Sequence, residues 1–132
     1  MFCCSNAIRE TIIRSLRAIG VLDCFDSVFS STEDAGKQPK PSPAVYLRAM
    51  ASAGLSARQV LIVEDSPIGR RAARLSGAHV LPVGGPADVT AAALEAAIQE
   101  AERRNRAGLP PAGPGPEEAP DGLEGGGSLS ES

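Results

Sequence analysis

The segment Val60-Leu-Ile-Val-Glu-Asp-Ser66 gives the strongest structural signal in this chain of 132 residues. Its first four residues are apolar and three of them are β-branched, which predicts a short buried strand. A strand this hydrophobic is typical of a parallel sheet that helices cover on both faces. Glu64 and Asp65 follow it, at the sheet edge where α/β proteins bind ligands. Two adjacent carboxylates need a neutralising cation there, and Mg²⁺ is the usual one.

The other apolar segments predict strands at 1–4, 27–30 and 79–83, each followed by a helical pattern. Ser5 or Asn6 is predicted to cap the first helix, and Ser42, with Pro43 at the first helical position, the second. A third helix begins at Pro67 and carries Ile68, Ala72 and Leu75, and a fourth covers 87–104. Four strand-then-helix repeats predict right-handed crossovers and a parallel sheet between helical layers.

Charge and composition suit one small domain, predicted at 1–106, and a tail. All 13 basic residues and 11 of the 16 acids lie in 1–106, a net charge of +2. This near-neutral charge and the lack of Trp indicate neither a nucleic acid nor a membrane surface as partner. In residues 107–132, 12 of 26 residues are Gly or Pro, so this Gly/Pro-rich acidic segment is predicted to be disordered.

The three cysteines, Cys3, Cys4 and Cys24, are an odd number. They do not form the even, widely spaced set that a disulfide framework needs, and no second Cys pair or His cluster accompanies them. No stretch reaches the length of a membrane span or of a signal-peptide core. These observations predict a reducing, cytoplasmic setting.

Ser5, Lys40 and the Glu64–Asp65 pair all lie just after predicted strands or in the loop between them. The carboxyl ends of parallel strands share one edge, so these side chains are expected to converge there. The Ser5 hydroxyl suits a phosphate together with the N–H groups at a helix start, and Lys40 suits the charge of a transferring phosphoryl group. A Mg²⁺ ion bound by the two acids would also neutralise the charge of the phosphoryl group.

Three motifs resemble those of the haloacid dehalogenase superfamily, most closely its β-phosphoglucomutase-like, phosphatase-rich branch. They are Lys40-Pro-Ser-Pro-Ala-Val-Tyr46, Val63-Glu-Asp-Ser-Pro-Ile-Gly-Arg-Arg-Ala-Ala73 with Ser76-Gly-Ala78, and Ser5-Asn6 after a strand. The resemblance implies a three-layer, Rossmann-like core and a Mg²⁺-dependent phosphatase or phosphomutase acting on a small phosphorylated metabolite through an aspartyl-phosphate. It implies that Ser5, with Asn6, and Lys40 bind the phosphoryl group, that Lys40 also stabilises the nucleophile, and that Glu64 and Asp65 hold the metal.

The first motif of that family, Asp-x-Asp after an amino-terminal strand, does not occur in this sequence, and neither does the helical cap that selects substrate. In the family this strand lies mid-sheet, between the strands that end here at Ser5 and Glu64. Without it, these two strands must pair directly or leave backbone groups unpaired, at about 1–3 kcal/mol each. We therefore expect an inactive, incomplete core that is marginally stable or completed by another, amino-terminal segment.

Other interpretations remain beside this one. Each residue has an ordinary structural alternative: Ser5 as a helix cap, Lys40 as a loop lysine, and the two acids as capping residues. Arg70, Arg71 and Arg74 form a basic patch that fits a solvated helix face, and His79 has no predicted acidic partner. A response-regulator receiver domain is excluded, because it needs a phosphoacceptor Asp at the end of a later strand and a Lys after that, and the sequence after Asp65 contains neither. A Walker-type site is excluded because Gly36-Lys37 lacks the phosphate loop. A non-catalytic remnant that binds phosphate, Mg²⁺ or a protein stays open.

Overall fold

The computed structural model describes residues 1–7, 9–20, 22–24, 26–30, 33 and 36–114. Within them, four strands alternate with four α-helices, which confirms the predicted α/β class. The strands are β1 (Phe2–Ser5), β2 (Ser27–Ser30), β3 (Leu61–Glu64) and β4 (His79–Pro82). The helices are α1 (Arg9–Ala18), α2 (Ala44–Ala53), α3 (Pro67–Leu75) and α4 (Ala91–Arg106).

All strand pairing within the described residues is parallel, as predicted, but it forms two small sheets rather than one. β1 pairs with β2, with Cys4 opposite Phe29, and β3 pairs with β4, with Ile62 opposite Val80. The strands β1 and β3 do not pair directly with each other in the described part of the chain. From the sequence, β1 and β3 were expected either to pair directly or to leave backbone groups without strand partners, and the described residues show the second outcome.

Helix α2 connects the two halves of the molecule. It packs against β1, β2 and α3, while α3 packs against β3 and β4. The core between these elements contains Val45, Ala72 and Ala73, which are fully buried, together with Phe29, Tyr46, Ala49, Met50, Ile62 and Ala78. Because many of these side chains are small, the helices approach the strands closely, and this sets the positions of the loops at the strand ends.

Two predicted helix starts are wrong in detail. Helix α2 begins at Ala44 with Pro43 in the capping position, and the Ser42 hydroxyl accepts a hydrogen bond from the Ala44 N–H. Helix α4 begins at Ala91 rather than Ala87, because the Thr90 hydroxyl caps it by accepting a hydrogen bond from the Ala93 N–H.

Helix α1 begins at Arg9 in the described part of the chain, and the Arg9 backbone N–H donates to Glu33 Oε2. Ser5 stabilises the turn between β1 and α1, where its hydroxyl accepts a hydrogen bond from the Ala7 N–H. The capping of this helix by Ser5 or Asn6 stays a prediction.

Helix α3 starts at Pro67 as predicted, with the Ser66 hydroxyl accepting a hydrogen bond from the Gly69 N–H. Its buried face differs from the expected one, since Ile68 and Leu75 are 53% and 60% exposed. Ala72 is buried as predicted, and Gly69 and Ala73 complete the buried face. Gly69 lies directly against the Glu64 side chain, while the two alanines pack in the apolar core.

The described beginning of the predicted tail contacts the domain. Leu109 accepts a hydrogen bond from Arg58, and the carbonyl groups of Pro110 and Ala112 accept hydrogen bonds from Arg104 and Arg74. Residues 115–132, for which disorder was also predicted, lie outside the described residues. The predicted disorder of the segment as a whole stays a prediction.

Candidate functional site

The side chain of Lys40 joins the carboxyl ends of β1 and β3. Its Nζ lies 3.0 Å from the carbonyl oxygen of Cys4, near the end of β1, and 3.0 Å from Glu64 Oε2, at the end of β3. The Lys40 and Glu64 side chains are only 12% and 11% exposed. The predicted convergence of Lys40 with the acid pair is therefore present in the structure.

Glu64 is held by donors on both of its carboxylate oxygens. Oε2 accepts hydrogen bonds from Lys40 Nζ and from the Tyr46 hydroxyl, the latter at 2.6 Å. Oε1 accepts hydrogen bonds from the backbone N–H groups of Asp65 and Ser66, at 3.1 and 3.3 Å. Because these donors already use the carboxylate, Glu64 is suited to position Lys40 rather than to give an oxygen to a metal directly.

The electrostatics of this cluster favour the ionised carboxylate. Burial alone would raise the pKa of Glu64, but the hydrogen bonds from Tyr46 and Lys40 and the charge of Lys40 outweigh it, so the pKa falls to about 2. The pKa of Tyr46 is raised, first by burial and then by its hydrogen bond to Glu64. Tyr46 therefore stays a hydroxyl donor, and its ring lies 4.9 Å from Lys40 Nζ.

Asp65 differs from its neighbour. The residue is exposed, and within the described part of the chain its carboxylate makes no hydrogen bond or ion pair. It follows β3 directly, one residue beyond the Lys40–Glu64 pair. Of the two acids predicted to hold a metal, Asp65 is thus the one whose oxygens are available.

Ser5 and Asn6 occupy the turn after β1. The Ser5 hydroxyl accepts from the Ala7 N–H, which leaves its own hydrogen available to donate. The Asn6 Oδ1 accepts a hydrogen bond of 2.8 Å from the backbone N–H of Lys40. The turn is further fixed by Ser30, whose fully buried hydroxyl donates to the Ala7 carbonyl. The structure therefore brings the predicted phosphate-binding turn and the lysine loop into direct contact.

The contacts that Tyr46, Gly69 and Ser30 make at this site were not predicted from the sequence. Tyr46 and Gly69 were named only as members of the two family-like motifs, although a buried tyrosine hydroxyl needs a hydrogen-bond partner. That requirement, and the place of Tyr46 in the helix just after the Lys40 loop, could have indicated its role. The contact of Gly69 depends on the position of the Glu64 side chain, and that of Ser30 on packing against a segment distant in the sequence.

Gly69 leaves room for the Glu64 carboxyl group, because a methyl group at position 69 would overlap it. We expect Gly69→Ala to lower the free energy of unfolding by about 1–3 kcal/mol, although Ala is the better helix former by about 1 kcal/mol. Urea unfolding measures the change. Gly85→Ala is the matched control, since its added methyl group meets no atom within 4 Å. A Gly69→Ala variant as stable as the parent would show that Glu64 moves aside without cost.

Tyr46→Phe tests the hydrogen bond to Glu64 through pH. The pKa of Glu64 in the folded state, about 2, lies below its ordinary value of 4.5. The ionised carboxylate therefore contributes fully to folding stability above pH 4.5, and this contribution is lost as the pH falls toward 2. We expect this acid-side loss to be about 2 kcal/mol, less than full linkage because solvent reaches the site. It should shrink in Tyr46→Phe, because the removed donor lets the pKa rise.

Urea unfolding of the parent, Tyr46→Phe and Glu64→Gln between pH 7 and pH 2.5 measures this loss, and Glu64→Gln removes it altogether. Hydrogen bonds from Arg103 and Arg104 also hold the pKa of Glu100 at about 2. Glu100 is unchanged in all three proteins, so it affects their pH profiles equally. Identical pH profiles in the parent and Tyr46→Phe would rule out a role for the tyrosine hydroxyl.

The side chains of the remaining sequence candidates make no hydrogen bond or ion pair with the Lys40 and Glu64 side chains in the described part of the chain. Arg70 Nη1 donates to the carbonyl of Val83, the residue directly after β4, and Arg71 is exposed. His79 is 4% exposed, and its Nε2 lies 2.9 Å from Asn105 Oδ1 of α4, in agreement with a structural role. Cys3 and Cys4 are half-buried in β1, where burial raises the pKa of Cys4 to about 12, so Cys4 stays a thiol.

Two features are absent from the described ranges of the chain. No group of three or more His, Cys, Asp and Glu side chains in them is arranged to hold a metal ion. None of their helices is both long and apolar enough to cross a membrane.

Comparison with known proteins gives consistent matches. The family model described as haloacid dehalogenase-like hydrolase matches residues 1–83. A haloacid dehalogenase-like hydrolase domain-containing protein of Arabidopsis thaliana is 34% identical over 76 residues, which are 56% of this chain and 24% of that protein. Hexitol phosphatase A of Escherichia coli is 37% identical over 57 residues, 43% of this chain and 26% of that enzyme. The chain thus aligns with about a quarter of each of these relatives.

Solved structures agree on the fold. A haloacid dehalogenase-like protein of unknown function from Agrobacterium tumefaciens superimposes with a TM-score of 0.59 and 29% identity, over 72% of this chain and 45% of that one. A HAD family hydrolase from Deinococcus radiodurans with bound phosphate and sodium superimposes with a TM-score of 0.57 and 24% identity. That match covers 83% of this chain and 53% of the other.

Proposed function

Since the chain belongs to the haloacid dehalogenase-like hydrolase family, we propose that its site is part of a Mg²⁺-dependent phosphatase for small phosphate monoesters. The observation that carries the proposal is the Lys40 ammonium group, held between the Cys4 carbonyl and Glu64 at the carboxyl ends of two strands. The similarity to hexitol phosphatase A favours a phosphatase over a phosphomutase, and a sugar or polyol phosphate fits the proposed substrate class.

The residues of this chain would bind and neutralise the phosphoryl group. Lys40 Nζ has three N–H groups, and Cys4 and Glu64 use two of them, which leaves one for a phosphate oxygen. The Ser5 hydroxyl can donate a second hydrogen bond from the facing turn. An ammonium group that is fixed in advance in a poorly hydrated place stabilises negative charge more strongly than one in water.

Asp65 fits a magnesium site of the kind that Mg²⁺ prefers, with one or two protein carboxylates and several waters. Its unengaged carboxylate would hold the ion, and Glu64 would act as an outer neighbour that fixes Lys40. When bound, the ion supplies positive charge for the phosphoryl oxygens. The Ser66–Pro67 start of α3, directly after Asp65, supports a fixed position for this carboxylate.

The nucleophile is not part of this sequence, because no Asp-x-Asp occurs in it. We therefore propose that the chain alone is inactive and that an amino-terminal segment supplies the aspartate for an aspartyl-phosphate. The same observation favours a second candidate, a non-catalytic module that binds phosphate, Mg²⁺ or a protein. For both candidates we propose a reducing, cytoplasmic setting, supported by three free cysteines among the described residues, and no nucleic-acid or membrane partner.

The test is Mg²⁺-dependent release of phosphate from p-nitrophenyl phosphate. We expect essentially no turnover by the chain as given, and turnover by a version extended by an upstream segment that contains a strand and Asp-x-Asp. A version extended by the same segment with its first Asp replaced by Asn is the control. Turnover by the chain alone would contradict the proposed nucleophile, and an inactive extended protein that folds would favour the non-catalytic module.

A further inference from the structure

Helix α3 carries a strongly basic face. Its sequence, from Pro67 to Leu75, contains three arginines and no acidic residue. Arg70, Arg71 and Arg74 stand at positions i, i+1 and i+4 and therefore share an arc of about 100° on the helix surface. We call these three residues the arginine face. Like charges at this spacing repel one another, so an acidic group that lies along the face stabilises it.

Arg70 and Arg71 have no acidic partner within the described part of the chain. Arg70 uses one of its five N–H donors on the Val83 carbonyl, which carries no net charge. Arg71 is exposed, and its guanidinium makes no hydrogen bond or ion pair with the described residues. Ile68 and Leu75, three residues before and four residues after Arg71, are exposed as well. The described chain thus leaves this side of α3 uncovered.

The last described residues of the chain lead to the arginine face. Gly108 follows α4 in the left-handed conformation, with a φ of 71°, and turns the backbone away from the helix axis. Arg104 then donates to the Pro110 carbonyl at 2.9 Å, and Arg74 Nη1 donates to the Ala112 carbonyl at 3.1 Å. The chain has therefore reached the end of α3 two residues before the described range stops.

The sequence that follows complements the charge of the arginine face. Residues 115–124 lie outside the described residues and contain no Lys or Arg and four acids, namely Glu117, Glu118, Asp121 and Glu124. Glu117 is five residues beyond Ala112, which an extended chain can span with about 16 Å. The distance along the helix axis from Arg74 to Arg70 is only about 6 Å. These acids can therefore reach every arginine of the face.

We propose that residues 115–124 lie along the arginine face of α3 in the same chain and cover it. Charge supplies the attraction, since Leu123 is the only large apolar side chain of the segment. Weak ion pairs are sufficient, because the short connection to Ala112 gives the acids an effective concentration on the order of millimolar. A separate acidic partner would have to displace this tethered segment. The inference goes beyond the proposed function, because the covered surface does not include Lys40 or Asp65.

The test compares the full chain with a neutralised chain of the same length, which carries Glu117→Gln, Glu118→Gln, Asp121→Asn and Glu124→Gln. Urea unfolding measures both. At about 20 mM NaCl we expect the unfolding equilibrium constant of the neutralised chain to be about fivefold larger, the effect of two or three exposed ion pairs. At about 0.5 M NaCl the two chains should be equally stable, because salt screens exposed charges.

Two further measurements locate the contact. In chains that also carry Arg71→Gln, neutralising the segment should raise the unfolding constant only about twofold, because one of the charges that it faces is gone. Arg17→Gln, at an exposed position of α1, is the matched control and should leave the fivefold effect unchanged. In nuclear magnetic resonance spectra, the backbone amide signals of residues 68–75 should differ between the full and the neutralised chain, and those of α1 should not.

Four results would overturn the proposal. They are equal stability of the two chains at low salt, a stability difference that persists at high salt, signal changes outside α3, and an effect of Arg71→Gln no larger than that of Arg17→Gln. A stability difference that grows with protein concentration would also contradict it, because the segment would then cover the helix of a second copy. No step measures phosphate release, so the outcome is independent of the proposed phosphatase.

Discussion

Asp65→Asn is expected to lower Mg²⁺-dependent phosphate release about 10³-fold in the proposed test protein, the chain extended by a strand and Asp-x-Asp. A loss of this size is typical when a charged group that stabilises the transferring phosphoryl group is removed. The reason is that Asp65 presents the carboxylate without an internal partner in the described site, whereas Glu64 is engaged by Lys40, Tyr46 and the backbone. The amide of Asn is nearly the same size, so the loss would come from charge. Steady-state kinetics at several Mg²⁺ concentrations measure it.

The control for this variant is Asp88→Asn. Asp88 is also exposed and near the start of a helix, but its carboxylate has an internal partner, since it accepts a hydrogen bond from the Gly84 N–H. We expect it to keep nearly full activity. Because Asp65 makes no internal contact with its carboxylate, Asp65→Asn should unfold at the same urea concentration as its parent. Unchanged activity would remove Asp65 from the site, and a large loss of stability would assign it a structural role.

The positions of the main elements could be predicted because local patterns determine them. The apolar run before Glu64 and the Ser66-Pro67 start of α3 each act within a few residues, and the structure has both. The meeting of Lys40 with Glu64 followed from one further rule, that parallel strands end at a common edge. The start of α4 was missed because Thr90 caps it within a polar segment that offered several starts.

The partners of the site residues could not be predicted in the same way. That Glu64 accepts a hydrogen bond from the Tyr46 hydroxyl depends on where α2 lies relative to the end of β3, and that Gly69 must lack a side chain depends on the rotamer of Glu64. Neither the tertiary placement of a helix nor a side-chain rotamer is encoded in the periodicity of the sequence. The division of the strands into two sheets has the same origin, since the sequence shows which strands exist but not which edges remain open.

Lys40→Met is expected to produce the largest loss of stability. It removes the ammonium group from the 3.0 Å contact with Glu64 and leaves a carboxylate that is 11% exposed without its cation. Breaking a buried pair on one side costs about 3–5 kcal/mol, and the donors that remain on Glu64 should keep the loss near the lower figure, about 3 kcal/mol. The pKa of Glu64 should rise at the same time, because the charge and hydrogen bond of Lys40 help to hold it at about 2.

Urea unfolding at pH 7 measures the change, and Arg48→Met, at an exposed position of α2, is the matched control with a loss below about 0.5 kcal/mol. Lys40→Arg should recover only part of the stability, since a planar guanidinium cannot replace the single Nζ that contacts both Cys4 and Glu64. If Lys40→Met and Arg48→Met were equally stable, Lys40 would be an ordinary loop lysine, and the rim at which β1 and β3 meet would have no preformed cation to offer a phosphate.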